Sequence, residues 1–399
     1  MKNSPECSPL LLFPTLVREF CLFLIEQGGR VVWVGGGPRD ALRGNWQGEL
    51  NSDFDFELRF KNGSCADQWI VLKKKLIDYA EARAWKITHH PLEIIKFIPP
   101  EPNSLTIELS LPRKEIYFPS DHPQSNHHLN FSAQFDLQLS DEEAFQRRDF
   151  TCNAIGMEFW GQGIEEWRIV DPFQGVQHLQ QGVLEICSDQ FAKDPVRFLR
   201  YLRFEHKLQL RASQHLLQSL PSFHLQHLSL YYLLQEAQKD GCFWQYLSLF
   251  FEKTQEYSLQ LSPIFREFFS FPWFRNFQKE GKDRWSKVDY NLLPNEIKKM
   301  AMVIDLVFLM GDENQEMQIW AQSLQIKLSQ LQQLLRWKKV FHQATLNPQQ
   351  NWWTFVEKKI RNSQQKQWWQ VFLYRFSLLL PESRALLGNS FPSSAFGFP

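Results

Sequence analysis

The most constraining feature of this sequence is a glycine turn between two strand-like segments, within residues 30–60. "RVVWVGGGPRDALRG" begins as a short apolar run and continues with residues typical of a helix start. "DFDFELRF" then alternates acidic and apolar residues, which is the two-residue period of a strand with one face in water. The sequence therefore predicts a buried strand, a glycine turn, a short helix and a half-exposed acidic strand.

Asp53 and Asp55 share one face of the acidic strand, because side chains two residues apart point the same way. Two such carboxylates suit Mg²⁺, which takes one or two protein carboxylates together with substrate phosphates. The glycine turn offers bare N–H groups to an anion, and Arg39 can add a charged fork. A solvated edge strand or a plain turn explains either half alone, but the ordered combination indicates a phosphate-bearing substrate held with its cation.

The order of predicted elements favours an α+β fold. Strands and helices mix up to about residue 187, and helical periodicity dominates from 188 onward. This pattern predicts an N-terminal head with a mixed sheet, followed by an all-helical C-terminal half. Helix starts are expected at a cap on Thr15, at Pro38 as first helical residue, and at a cap on Ser188 or Asp189. The longest uninterrupted apolar runs are too short to span a membrane.

Charge and cysteine content narrow the class of protein. Lys and Arg together number 44, as do Asp and Glu, so a nucleic-acid surface would have to be a local patch. The 6 cysteines are scattered without a C-x-x-C pair, which argues against a zinc site and against a disulfide framework. That distribution suits a reducing compartment, and we expect a cytoplasmic protein without zinc.

A second motif, "RRDFTCNAIGMEF", begins at Arg147. Arg147 and Arg148 can contact phosphates or a base, and Asp149 can hold one of the two guanidinium groups in place. A surface charge pair at the start of a strand or helix is the alternative explanation.

A third motif, "KDPVRFLRYLRF", places Arg197, Arg200 and Arg203 at helical spacing, one turn after Asp194. Such a helix can present one acceptor and several donors to a base edge or to phosphates. The alternative is a helix surface with i, i+3 ion pairs, which contribute little to stability.

Taken in order, these segments resemble the class II tRNA nucleotidyltransferases and bacterial poly(A) polymerases, within the DNA polymerase β-like nucleotidyltransferases. The resemblance covers roughly residues 30–210 and rests on "VGGGPRDALRG", "SDFDFEL", "RRDFTCNAIGME", "VDPFQGVQHLQQGVL" and "DPVRFLRYLRF". It implies a catalytic head over residues 1–187, a helical neck with a nucleotide-selecting helix over 188–260, and a helical body and tail that bind RNA over 261–399.

The resemblance also implies the roles of individual residues. Asp53 and Asp55 would hold the catalytic Mg²⁺ ions, and Glu108 would be a third strand carboxylate, although its match is looser. The nucleotide-binding residues that it implies are Gly35, Gly36, Arg39, Arg147, Arg148, Asp149, Asp194, Arg197, Arg200 and Arg203. Among these, Asp194 and Arg197 would select the base by its Watson–Crick edge without a template, supported by Arg200 and Arg203.

The sequence departs from the family pattern at two positions. Lys193 stands where the family has glutamate, beside the implied base readers, and Pro38 stands where valine is usual. Neither touches the aspartate pair, so we still expect activity. The stretch Arg113–Tyr117 resembles the beginning of the family's flexible loop, which would span about 112–135.

The C-terminal half contains two segments that mix tryptophan with basic residues, "LRWKKVFHQ" and "NWWTFVEKKIRNSQQKQWWQ". Such segments can follow phosphates and stack on bases, although we expect most of these tryptophans to lie in a core. The 11 histidines show no metal-binding phosphohydrolase pattern, which argues against an appended phosphatase.

The expected function is addition or repair of the CCA end of tRNA, by two-metal transfer of CMP and AMP from CTP and ATP. The expected partners are the 3′ end and upper half of tRNA, CTP and ATP, with no membrane. The alternatives are a poly(A) polymerase that uses ATP only, a partial enzyme that adds only CC or only A, and a non-catalytic RNA-binding relative. The intact Asp53 and Asp55 argue against the last, whereas Lys193 keeps it open.

Overall fold

The computed structural model describes residues 9–46, 53–60, 65–100, 105–119, 122, 127–161, 166–280, 290, 295–310, 314–346 and 371–372. The chain divides into two compact units. The first, called the head unit, comprises residues 1–197 and 208–223, and the second, called the helical unit, comprises residues 198–207 and 224–399.

A seven-stranded mixed sheet forms the centre of the head unit, in the strand order β3-β4-β5-β2-β1-β8-β9. The strands described are β1 Gly29–Val34, β2 Asp53–Phe60, β3 Lys86–His90, β4 Ile94–Ile98, β5 Thr106–Ser110, β6 Arg113–Tyr117, β7 Phe131–Phe135, β8 Gly156–Phe159, β9 Trp167–Val170, β10 Val183–Leu184 and β11 Arg211–Ala212. Within the large sheet, β2 and β5 run parallel and the other neighbours run antiparallel. Strands β6 and β7 form a separate antiparallel ribbon, and β10 pairs with β11 in parallel.

Helices and 3₁₀ turns precede, separate and follow these strands along the chain. The α-helices are α1 Thr15–Glu26, α2 Gly36–Leu42, α3 Cys65–Glu81, α4 Asp141–Phe145, α5 Gly175–Gln181, α6 Val196–Leu208 and α7 Gln214–Ser219. The 3₁₀ turns are Pro9–Leu12, Thr151–Asn153, Phe191–Lys193 and Leu220–Ser222. Helix α6 begins in the head unit, and its residues 198–207 belong to the helical unit.

The alternation of β2 divides the sheet into an apolar and a polar face. Phe54, Phe56 and Leu58 are fully buried in the core that the sheet forms with α1 and α3. The intervening residues Asp53 and Asp55 lie on the opposite face, as the two-residue period predicts. The predicted alternation is confirmed, but the polar face is wet only near Asp53 and Asp55, because Glu57 and Arg59 further along it are buried.

The helical unit has a core of aromatic rings. Its further helices are α8 Leu230–Asp240, α9 Phe243–Glu256, α10 Pro263–Ser270, α11 Pro272–Glu280, α12 Asn295–Leu309, α13 Asn314–Ser323 and α14 Leu328–Leu346. The ring centroids of Trp273 lie 6.0 Å from Trp244 and 5.3 Å from Trp320. The indole of Trp244 donates to the Tyr290 hydroxyl at 2.8 Å, and that of Trp273 donates to the Phe268 carbonyl at 2.8 Å. The partnered indoles of Trp244 and Trp273 are thus buried without loss of hydrogen bonding.

The predicted fold class, a mixed-sheet head followed by a helical C-terminal half, is confirmed. The division into residues 1–187, 188–260 and 261–399 stays a prediction. Trp337, in the first tryptophan-rich segment, is buried, whereas the second segment, residues 351–370, lies outside the described residues. Across the described part of the chain, no helix is both long and apolar enough to cross a membrane.

The predicted helix starts were wrong in detail. Helix α1 begins at Thr15 itself with Pro14 as its cap, and α2 begins at Gly36, two residues before Pro38. Ser188 and Asp189 do not cap α6, because Pro195 occupies that position and a 3₁₀ turn intervenes. The short strand β11 also lies beyond residue 187, where no strand was expected.

Candidate active site

Strand register brings three predicted carboxylates together on the polar face of the sheet. In the parallel pair of β2 and β5, Asp55 aligns with Glu108 and Asp53 aligns with Thr106. The Thr106 hydroxyl donates to the Asp53 carboxylate. From the next strand, the Lys96 ammonium lies 3.0 Å from a Glu108 carboxylate oxygen. Directly aligned residues of neighbouring strands share a face, so Asp53, Asp55 and Glu108 form one acidic group.

Within the acidic group, the pKa of Asp55 is raised because its carboxyl is buried and lies near other negative charges. Burial, followed by the charge of Glu108, raises the pKa of Asp55 to about 6, and Asp53 adds to this effect. The positive charges of Arg148 and Lys96 act in the opposite direction but do not cancel it. Neighbouring carboxylates disfavour each other's ionisation unless a cation binds between them. The group therefore suits a divalent cation held by oxygen ligands.

The glycine turn lies against this acidic group. Val34, the residue before the turn, aligns with Asp55 in the antiparallel pair of β1 and β2. Gly35 has a φ of +85°, and a Cβ placed there would lie 2.7 Å from the Asp55 Oδ2 atom. Both the backbone angle and this close approach require glycine. The absent side chain leaves backbone exposed beside the carboxylates, where a ligand can approach.

Arg39 is buried and held by two partners. Its guanidinium donates to both carboxylate oxygens of Asp40, at 2.8 and 2.9 Å, and to the Asn153 side-chain oxygen at 2.7 Å. The Asn153 amide in turn donates to Asp149 at 3.0 Å. This chain of bonds links the helix after the glycine turn to the segment that begins with the two arginines. The predicted phosphate contact of Arg39 stays a prediction.

The paired arginines lie on the polar face of the sheet. Arg147 approaches Glu57 at 3.4 Å, and Glu57 also accepts from Arg59 at 2.9 Å. Burial, followed by the charge of Arg147, lowers the pKa of Arg148 to about 10, so its guanidinium remains charged at neutral pH. The charge of Arg148 favours the ionised form of Asp55. The structure thus brings Arg148 into the electrostatic environment of the carboxylates.

The two implied base readers lie at the start of α6 and have protein partners. Asp194 accepts from the Val196 backbone N–H at 2.9 Å and lies 3.0 Å from the His128 Nδ1 atom. Arg197 is buried, and its guanidinium donates to the Arg147 carbonyl at 2.6 Å. These bonds join the base-reading segment both to the arginine pair and to the segment that precedes β7.

The predicted flexible loop, about 112–135, has regular structure at both ends. Strands β6 and β7 form its antiparallel ribbon, while residues 120–121 and 123–126 lie outside the described part. Near its end, the Asn130 amide donates to the backbone carbonyl of Lys193 at 3.0 Å. The Lys193 side chain itself is exposed.

Arg200 and Arg203 lie in the helical unit. The Arg203 guanidinium donates to Glu236 at 2.6 Å. The Arg200 guanidinium lies 5.6 Å from the centre of the Phe204 ring, one helical turn further along. Their supporting role in base selection stays a prediction.

Sequence reasoning missed several residues that hold the predicted ones. They are Asp40, Glu57, Lys96, Thr106, His128 and Asn153. The sequence held a signal for Glu57, since it continues the polar alternation of Asp53 and Asp55. For Lys96 and His128 no local signal exists, because their partners are distant in the chain.

Parts of the chain are similar to known proteins. Residues 31–185 match a family model described as "Poly A polymerase head domain". The "Multifunctional CCA protein" of Legionella pneumophila is 38% identical over 77 residues, which cover 19% of this chain and 17% of that protein. The "CCA-adding enzyme" of Anoxybacillus flavithermus is 36% identical over 102 residues, which cover 24% of each protein. The matched stretch is thus a quarter or less of these relatives' length.

A solved structure described as "Structure of tRNA-processing enzyme with CTP" shares the fold, with a TM-score of 0.55 and 16% identity over 94% of this chain and 93% of that one. The mixed sheet, with its glycine turn and aligned carboxylates, lies within the residues that match the poly(A) polymerase head domain. With the partial matches to CCA-adding relatives, the chain is similar in its head to the class II tRNA nucleotidyltransferases and bacterial poly(A) polymerases.

Proposed function

We propose that this protein is a template-independent RNA nucleotidyltransferase that adds or repairs the CCA end of tRNA from CTP and ATP. The observation that carries the proposal is the alignment of Asp53, Asp55 and Glu108 beside a turn where Gly35 leaves no side chain. The names of the two curated relatives support CCA addition as the reaction, and the related structure with CTP supports the nucleotide.

The carboxylates fit divalent cations. All three are oxygen ligands, and burial together with the charge of Glu108 raises the pKa of Asp55. We propose that Asp53 and Asp55 hold Mg²⁺, with Glu108 as the third carboxylate. When bound, such ions neutralise the triphosphate and lower the pKa of the attacking hydroxyl.

Two glycines and two arginines of the head unit position the nucleotide. The bare backbone at Gly35 and Gly36 lets the triphosphate approach Asp55 closely, and the charged Arg148 guanidinium adds positive potential on the same side. Arg39, fixed by Asp40 and Asn153, holds the helix that follows the turn. Such positioning and charge stabilisation are the main protein contributions to phosphoryl transfer.

Base selection is assigned to Asp194 and Arg197. One offers a carboxylate acceptor and the other guanidinium donors, which together complement the edge of cytosine or adenine. To reach a base, Asp194 would exchange its contact with His128, and Arg197 would exchange the Arg147 carbonyl. Selection by two protein side chains needs no nucleic-acid template.

The reaction itself is a nucleotidyl transfer. The 3′-hydroxyl oxygen of the RNA forms a bond to the α-phosphorus of the nucleotide, and the bond from that phosphorus to the bridging oxygen breaks. The hydroxyl proton passes to water, and pyrophosphate leaves with the oxygen that bridged the α- and β-phosphorus atoms. The two aspartates would hold the cations that supply charge stabilisation at this centre, so their loss would stop transfer without removing the RNA-binding surface.

The test is an incubation of the full chain and Mg²⁺ with tRNA lacking CCA, tRNA lacking only the final A, and an unstructured RNA. Each receives CTP, ATP or both, and products are sized to the nucleotide. Addition of C, C and A followed by a stop is the expected result. Addition of CC alone or A alone would show a partial enzyme, and long A tails on the unstructured RNA would show a poly(A) polymerase.

Loss of all addition with retained tRNA binding would leave a binding protein and overturn the proposed activity. The matched control is the Asp55→Asn variant, which should bind tRNA as the parent does and add nothing. Addition by this variant at the parent's rate would refute the metal assignment.

A further inference from the structure

A cluster of metal-ligating side chains lies in the helical unit. Within the described residues, His206, Asp240 and Cys242 place one ligand atom each within 4.8 Å of one another. His206 comes from α6, Asp240 is the last residue of α8, and Cys242 precedes the first residue of α9. The family's nucleotide chemistry uses none of these three residues.

The geometry around Asp240 is already ordered. The His206 Nδ1 atom lies 3.0 Å from both Asp240 carboxylate oxygens, and the Cys242 backbone N–H donates to one of them at 3.1 Å. The Asp240 side chain is fully buried, whereas His206 and Cys242 are half-buried. A ligand atom from solvent can therefore complete the set on the side of His206 and Cys242.

The donor set selects the metal. Imidazole nitrogen, carboxylate oxygen and thiolate sulfur suit Zn²⁺ and similar borderline cations, whereas Mg²⁺ takes oxygen ligands in octahedral geometry. Tetrahedral Zn²⁺ has ligand bonds of about 2.0–2.3 Å, which separates neighbouring ligand atoms by about 3.3–3.7 Å. The His206 ring and the Asp240 carboxylate need to part by roughly half an ångström to admit the ion.

We infer that His206, Asp240 and Cys242 form a site for one Zn²⁺ ion, with water as the fourth ligand, that ties the start of the helical unit to the junction between α8 and α9. This site differs from the carboxylate site in ligand chemistry, and it runs against the expectation from sequence that the protein holds no zinc. That expectation rested on the lack of a C-x-x-C pair, whereas here the cysteine has an aspartate two residues earlier and a histidine from a distant helix.

The test is titration of the metal-stripped full chain with Co²⁺, which replaces Zn²⁺ and reports thiolate ligation by a near-ultraviolet charge-transfer band. We expect one equivalent of Co²⁺ to produce the band and one equivalent of Zn²⁺ to remove it. Cations bound by the oxygen ligands of the head unit produce no such band, so the two sites are distinguished. Zn²⁺ should also raise the melting temperature of the parent chain.

The decisive variant is Cys242→Ser, which should lose the band and weaken Zn²⁺ binding at least tenfold. His206→Gln keeps the thiol and should weaken Co²⁺ binding by a similar factor, and it decides the matter if the serine variant does not fold. His215→Ala is the matched control. His215 also contacts two carboxylates, Asp189 at 2.8 Å and Glu185 at 3.3 Å, but it does not belong to the group of His206, Asp240 and Cys242. An absent band, or a band unchanged in Cys242→Ser, would overturn the site.

Discussion

The two ends of the polar face of β2 differ in how far their negative charges are compensated by neighbouring positive charges. At one end, buried Glu57 contacts Arg59 and Arg147, and Arg59 also contacts Asp141, so negative and positive charges are matched within the protein. At the other end, Asp53 and Asp55 lie beside Glu108, and burial and crowding raise the pKa of Asp55 to about 6.

This difference indicates that Glu57 has a structural role, whereas we propose a functional role for Asp53 and Asp55 on the same strand. A buried carboxylate with cationic partners is satisfied in the folded chain and stabilises the arrangement of those partners. A group of carboxylates with too little positive charge is costly until a cation arrives from outside. The end of β2 with matched charge therefore holds Arg147 in place, and the other end suits the metal and nucleotide that we propose.

The largest expected effect is on catalysis. Asp53→Asn and Asp55→Asn should each reduce nucleotide addition on the order of a thousandfold or more, because several kcal/mol of charge stabilisation at the metals is lost. Addition to tRNA lacking CCA measures the rate, and circular dichroism checks folding. A well-folded Asp53→Asn variant with parental activity would contradict the catalytic role proposed for this end of β2.

The next largest effect is on stability at the matched end. Glu57→Ala should lower the free energy of unfolding by about 3–5 kcal/mol, since it leaves buried guanidinium groups without their carboxylate. Urea unfolding measures it. Glu93→Gln is the exposed control, because the Lys73–Glu93 ion pair lies in solvent and should contribute less than about 1 kcal/mol. Equal effects at Glu57 and Glu93 would contradict the assignment.

At the end of β2 that carries Asp53 and Asp55, removal of a carboxylate charge should stabilise the protein. The pKa of Asp55 in the folded chain is raised from 3.8 to about 6, so the folded state favours the protonated form. Folding stability of the parent, without divalent cations, should therefore fall as pH rises from about 4 to about 6.

Asp55→Asn removes that cost, so we expect it to gain about 1–3 kcal/mol over the parent at pH 7 and nothing at pH 3. Addition of Mg²⁺ should reduce this difference in stability at pH 7, because the ion stabilises only the parent. Thermal unfolding at both pH values measures this, and a less stable variant at pH 7 would show that the carboxylates are compensated within the fold.

The smallest effect is expected at Lys96. Its positive charge favours ionisation of Asp55, so Lys96→Met should shift the acidic limb of the pH–activity profile upward by less than about one pH unit. Because Lys96 and Glu108 are both partly exposed, stability should change by less than about 1 kcal/mol. Lys86→Met, on the neighbouring strand β3, should leave the profile unchanged, and an equal shift there would argue for a general charge effect.

The sequence predicted those features that depend on local pattern. The alternation of Phe54 and Phe56 with Asp53 and Asp55 fixed which side chains enter the core and which face water. The glycine turn followed from its composition, and the confirmed fold class followed from the change in periodicity near residue 187.

Features that depend on distant pairing could not be predicted from local pattern, and Glu108 was expected only from the family resemblance. The alignment of Asp55 with Glu108 requires the parallel pairing of β2 and β5, which no local pattern specifies. The partners of Asp194 and Arg197 likewise come from distant segments, His128 and the Arg147 carbonyl. The site-residue assignments as a whole remain predictions that the variants above address.

The parallel pairing of β10 with β11 has a consequence for truncation. β10 ends at residue 184, and its partner strand Arg211–Ala212 follows only after α6. A shortened chain that stops at residue 187 would expose the backbone hydrogen-bonding groups of β10 and lose residues 208–223, which belong to the head unit. A head fragment intended for isolated expression therefore needs to extend to residue 223, and it then carries the first helix of the other unit with it.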